Sequence, residues 1–198
     1  MPINDHRGQA HTLEALIATT VLVTAVLFAL NAVVVTPTAS GTIDPDTQSD
    51  LRGQFEDALG AAEDTGTLTH MVLYVDNASG QFAGDWTPRS GYQTWPDARF
   101  TDVNRTLDAI AAEEGLRYNL AVRWEDEASV EHRRWLTYDG SPGDEAVTAT
   151  ETIVLTDDMR LRAPDGDHPR LDETSQHPVD DVGDGPVYNV VEIRVIAW

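Results

Sequence analysis

Between Ala15 and Val35 the sequence carries no charged residue. At a rise of about 1.5 Å per residue, a helix of that length spans about 30 Å, the thickness of a bilayer's hydrocarbon core. A buried core helix can also be apolar all round, but VLVTAVLFALNAVVV is rich in β-branched residues, which suit a lipid-facing span better than a helix flanked by solvent. A secretory signal has a shorter apolar region, about 7–15 residues, followed by small residues at a cleavage site. The TPTASGT that follows Val35 matches such a site only loosely. We therefore expect a retained transmembrane helix over residues 9–36, stopped by Pro37, because the residue before a proline disfavours helix.

The flanks set an orientation. His6 and Arg7 precede the span, and the first charges after it are Asp44, Asp46 and Asp50. Positive charge stays on the cytoplasmic side, which predicts a cytoplasmic amino terminus, an extracellular body and a single pass through the cell membrane, with membrane lipid as a partner. Glu14 stands at the membrane entry. A carboxylate there is tolerated in one of two ways. It can sit in the first turns of a helix capped by Thr12, favoured by the dipole by about 0.3–1 kcal/mol, or it can pair with a cation from a neighbouring molecule.

The order of residues in RGQAHTLEA, followed by the apolar run, resembles the leader and helix start of archaeal type IV pilin-like membrane proteins, and in particular of haloarchaeal ones. The resemblance covers roughly Asp5 to Val35. It implies a short leader, residues 1–8, removed by a prepilin peptidase between Gly8 and Gln9, with Arg7 as its basic residue. Glu14 would then face the new amino terminus of a neighbouring pilin-like subunit. One departure stands out: that cut makes Glu14 the sixth mature residue, where the family's glutamate is the fifth.

Net charge bears on partners. The chain of 198 residues has 34 acidic and 13 basic residues, a net charge of −21, and every basic residue is arginine. Such a surface repels phosphate backbones, so nucleic acid is not an expected partner. The acidic, lysine-free but normally apolar composition resembles that of proteins from extreme halophiles, where molar salt screens charge over about 3 Å. The chain has no cysteine, which removes disulfides, thiolate metal sites and cysteine nucleophiles.

Residues 37–47 read as a linker and 48–198 as an extracellular α+β domain. SDLRGQFEDALGAAEDTG places Leu51, Phe55, Leu59 and Ala62 at helical spacing behind a Ser49 or Asp50 cap. TLTHMVLYVDNASG reads as a buried strand, RFTDVNRTLDAIAAEEG as a second helix, and LRYNLAVRW as an alternating strand returned through DEAS into VEHRRWLTY. AVTATETIVLT and VYNVVEIRVIAW complete a mainly antiparallel sheet of about five strands with two helices on one face, the last strand lying in its interior. GDWTPRSGYQTWPD reads as a loop whose Trp86, Tyr92 and Trp95 either cap the core or present a stacking surface. Residues 157–185 read as a long exposed acidic loop.

Signals for chemistry are sparse. No two of the six histidines sit at a zinc-motif spacing. His168 and His177 lie among aspartates, where a solvated loop is the simpler reading than weak metal binding, so no metal or other cofactor is expected. No phosphate loop, nucleophile elbow or isolated acid–base pair stands out, and no small-molecule substrate is evident. Asn77 in NAS and Asn104 in NRT fit the glycosylation acceptor pattern. The sequence thus points to a non-enzymatic, membrane-anchored cell-surface protein, a pilin-like subunit or accessory of a type IV filament. The alternative is a single-pass, signal-anchored extracellular binding domain that is neither processed nor polymerised.

Overall fold

The computed structural model of the protein describes residues 45–76, 78–162, 168–182 and 185–198. The chain divides into two units, Met1–Thr42 and Ile43–Trp198. The expected leader, the expected span over 9–36 and most of the expected linker lie outside the described residues. Among the described residues no helix is long and apolar enough to cross a membrane. The expected architecture is corrected accordingly: the described body is α+β with three helices rather than two, and its main antiparallel sheet has six strands rather than five.

Helix α1 runs Pro45–Asp64 and buries Leu51, Phe55, Leu59 and Ala62, the stripe that the helical spacing of the sequence marks. It begins earlier than a cap at Ser49 or Asp50 would allow, since proline's fixed φ suits the first helical position, where no N–H is needed. Gly66, at φ 68°, turns the chain in the left-handed region.

The next segment corrects the sequence reading. Thr67–Leu73 is helix α2, not a strand. Gly66 offers no capping side chain, but the Glu63 carboxylate, one turn back, accepts from the Thr69 N–H at 3.0 Å and from the Thr69 hydroxyl at 2.6 Å. A preceding glutamate thus satisfies the helix start and favours the dipole. A short, mostly buried apolar run does not itself distinguish helix from strand.

Short strands β1 (Val75–Asp76) and β2 (Gln81–Phe82) form a separate ribbon. The stretch expected as an aromatic loop is a hairpin of β3 (Asp85–Thr87) and β4 (Gly91–Thr94). Its docking depends on Gly91, at φ 72°, whose Cβ, if it had one, would lie 2.2 Å from the Leu136 carbonyl oxygen. Trp86 donates its indole N–H to the Trp135 carbonyl at 2.8 Å, and Tyr92, 4.8 Å from Trp95 between ring centroids, is buried. These aromatics close the core.

Helix α3 (Ala98–Glu113) is capped by Asp97, whose side chain accepts the Arg99 N–H at 2.8 Å. Phe100 and Leu107 are buried, with Val103 and Ile110 packed against them. The remaining strands are β5 (Tyr118–Glu125), β6 (Glu131–Thr137), β7 (Val147–Thr156) and β8 (Val187–Ala197). The sheet order is β3-β4-β6-β5-β8-β7, so the final strand inserts between β5 and β7. Alternate residues of β7 and β8, Ala149, Ile153, Leu155, Val191, Ile193 and Val195, are buried. Helix α1 packs across β7 and touches α2 and α3.

Two further expectations change. Asn119, which the alternation of LRYNLAVRW puts on the face opposite Leu120 and Val122, is wholly buried. Its amide donates to the Gly140 carbonyl at 2.8 Å and accepts the Asp139 N–H at 2.7 Å, so a polar strand residue fixes the loop after β6. The segment after Thr156 is not an exposed loop throughout. Leu161, Leu171 and Val179 are buried, a 3-10 turn forms at Leu171–Glu173, and Arg162 exchanges backbone hydrogen bonds with Leu73 and Val75 at 2.7 and 3.1 Å. Three well-spaced apolar residues suffice to strap the segment down.

Candidate functional site

Because strand side chains alternate between faces, the residues that do not enter the core share the opposite face of the sheet. Register places them in rows. Arg133, Arg123, Glu192 and Thr152 stand side by side across β6, β5, β8 and β7, and the neighbouring row is Trp135, Ala121, Arg194 and Thr150. Beyond them, Glu131 opposes Glu125 and Val190 opposes Val154.

The rows are ordered by charge. Arg123 pairs with Glu131 and, at 3.7 Å, with Glu192, which also accepts from Arg194 at 2.6 Å. Arg123 keeps only 15% of its side chain exposed, so its guanidinium is held in place rather than waving in solvent. The Arg133 guanidinium lies over the Trp135 ring, 4.1 Å from its centroid, a cation–π contact. A groove of about 550 Å³ opens at the β5–β6 end of this face, with Arg123, Arg194 and Glu192 among its lining residues and Val182 and Val190 on its wall. Exposed large apolar residues gather here. Val154, Val182, Val187 and Val190 lie at this corner, paired in register or bonded to its strands, and Val130 adjoins the turn that rims it.

That turn is tightly built. Asp126 accepts the N–H groups of Ala128 and Val130, both at 2.9 Å, and meets His132 Nε2 at 2.9 Å. The bond to His132, with these backbone N–H groups, lowers the Asp126 carboxyl below its ordinary range. The His132 ring stacks on Trp124 at 5.6 Å, and Trp124 donates to Asp180 at 3.0 Å. Asn189 ties the same corner together, donating to the Glu125 and Asp180 carbonyls at 2.9 and 2.7 Å. Ser129, at φ 57°, brings a hydroxyl near an Asp–His pair in sequence. Its backbone N–H, however, donates to the Asp126 carbonyl at 2.9 Å, and the relay a nucleophilic serine requires is not formed.

Of the residues singled out from sequence, Arg7, Gly8, Gln9, Glu14 and Asn77 lie outside the described residues. Asn104 lies on α3, where its amide nitrogen donates to Asp108 at 2.9 Å and its carbonyl oxygen accepts from Tyr118 at 2.8 Å. The nitrogen that would carry a glycan is thus engaged. His168 contributes its carbonyl to Arg160 at 2.8 Å. The His177 Nδ1 accepts the Val179 N–H at 3.2 Å, and its sealed Nε2 reaches no hydrogen-bond partner. Burial pushes the His177 imidazole down to about 4. Among the described residues no group of three or more His, Asp or Glu is placed to hold a metal ion. The ordered outer face escaped the sequence reading because its pairs join distant strands; the signal was the polar phase of each strand, Arg123, Thr150, Thr152, Glu192 and Arg194.

A family of unknown function (DUF7288) matches residues 7–197. The chain belongs to this family. The match takes in the apolar stretch as well as the body, from Arg7 onward. No curated protein matches the chain, and neither does any solved structure.

Proposed function

We propose that this DUF7288 protein is a non-enzymatic cell-surface protein of the pilin-like kind, held at the membrane through its amino-terminal apolar stretch and presenting its body outside the cell. The observation that carries the reading is the ordered series Arg7, Gly8, Gln9 and Glu14 followed by the charge-free run Ala15–Val35. That order fits a cleavable leader and an uncleaved apolar segment whose glutamate needs a partner, because an unpaired carboxylate in lipid is costly. The sheet face that the helices leave uncovered, ordered by the Arg123, Glu192 and Arg194 ion pairs, supports presentation of a surface. On this reading the partners are membrane lipid, a prepilin peptidase and other pilin-like subunits.

The sixth-position glutamate favours a second reading, an uncleaved anchor carrying a binding domain. Glu14→Gln separates the two. If Glu14 meets a neighbour's amino terminus, the variant is made and inserted but recovered at least about tenfold less in surface complexes, since a lost buried charge pair costs more than about 1.4 kcal/mol. Recovery equal to wild type would reject the assembly role and leave the anchored binding domain.

A further inference from the structure

We propose that the open face of the sheet is a docking surface for a second copy of this chain, in a face-to-face pair related by a two-fold axis running parallel to the strands between β5 and β8. The inference goes beyond the pilin-like reading and does not depend on leader processing. It rests on the charge order of the rows. Across β6, β5, β8 and β7 the first row reads Arg133, Arg123, Glu192, Thr152, and a two-fold axis at its centre lays the same row over it in reverse. Arg123 of each copy then faces Glu192 of the other, and Arg133 faces Thr152.

The neighbouring rows obey the same rule. Trp135 falls over Thr150, and Arg194 falls over the position of Ala121, which its own neighbours already bury. Carrying the β5–β8 register one same-face pair beyond Arg123 and Glu192, Glu131 falls over Val154 and Glu125 over Val190, so that no row sets like charges opposite each other. Self-complementarity of this kind is what a two-fold interface requires, and aligned sheet packing is a common geometry for it. The pairing also covers Val154 and Val190, which are 48% and 47% exposed in the single chain.

Area sets the strength. Four strands about 4.8 Å apart, each presenting about six residues at about 3.4 Å, give a planar face of roughly 400 Å² per copy. The total is below the about 1,200 Å² of a standard interface, so the pair is weak and reversible. Repulsion between two acidic bodies opposes it at low salt, whereas molar salt screens that repulsion over about 3 Å and acts less on pairs enclosed in the contact.

The absence of cysteine makes register-specific cross-linking possible. Full-length chains carrying Arg133→Cys or Thr152→Cys, distinguished by a size tag, are co-expressed and treated at molar salt with a short thiol-reactive bifunctional reagent, since facing sheets lie about 10 Å apart, beyond the reach of a direct disulfide. A cross-linked heteropair from the mixture, with neither variant cross-linking to itself, is expected. Adding Arg123→Glu to both copies should cut the yield at least tenfold. Arg123→Glu in one copy with Glu192→Arg in the other should restore it, as should both changes together in each copy, which also preserves the internal ion pair. As a check against misfolding, Thr152→Arg, at an exposed position beside Glu192, should lower recovery of an untagged copy with a tagged one. No heteropair, self-linking by either single-cysteine variant, yield unchanged by Arg123→Glu, failure of the exchanged charges to restore it, or Thr152→Arg equal to wild type would each overturn the proposal.

Discussion

Stability should fall between pH 6.5 and pH 4 because of His177. Folding encloses its Nε2 without a partner beside the Val72 backbone, and burial lowers its pKa to about 4, opposed by the Val179 and Val72 backbone groups and by Asp180. In the unfolded chain it titrates near 6.5. Within that window the unfolded chain binds the proton and the folded chain does not, so stability is fully present above 6.5 and is lost as pH falls toward 4. The gap, at about 1.36 kcal/mol per pH unit, comes to about 3 kcal/mol, of which about 2 kcal/mol is lost by pH 5. His70 is also lowered, by burial and then by Arg99, and so adds to the loss in the same direction. Asp97, Asp126 and Asp158 lie below their ordinary 3.8 and act below pH 4. Subtraction isolates His177: His177→Asn keeps an acceptor for the Val179 N–H two residues on, as an Asx turn does, and removes the titration. Denaturant melts of both proteins at molar salt should show wild type losing about 2 kcal/mol relative to the variant between pH 7 and pH 5. A difference constant across that range would refute the reasoning.

Three further outcomes follow from the fold. Asn119→Leu leaves the Asp139 N–H and the Gly140 carbonyl without their partner and should cost about 2 kcal/mol in a denaturant melt; a cost under about 0.5 kcal/mol would show that the loop does not depend on it. Gly91→Ala drives a Cβ into the Leu136 carbonyl at a left-handed backbone position, so amide exchange in β3 and β4 should accelerate at least tenfold, and unchanged protection would contradict the register. Lowering salt from molar to millimolar should lower the melting temperature through repulsion among 34 acidic residues, and a salt-independent value would contradict that.

Strong periodicity was legible. The stripe Leu51, Phe55, Leu59 and Ala62 and strand β5 were marked by spacing, β6 by the turn before it, β7 and β8 by their β-rich composition, and the interior position of VEIRVIAW by its apolarity. The misreadings came where neighbours decide. Thr67–Leu73 is mostly buried and shows no clear period, and its helix start is held by the Glu63 carboxylate reaching forward. The hairpin at Trp86 and Tyr92 exists because β6 accepts it, and the sparse leucines after Thr156 give no period. At the open face each residue type was visible, but facing Arg123 with Glu192 needs the strand order β5-β8-β7, which alternation within a strand does not encode.

Mass spectrometry of the mature amino terminus, on the native protein taken from its own membrane fraction, tests the pilin-like reading most directly. The account predicts a chain beginning at Gln9, with Met1–Gly8 absent and Glu14 retained. An intact Met1, or a terminus near Ser40 with the whole apolar stretch gone, would contradict it.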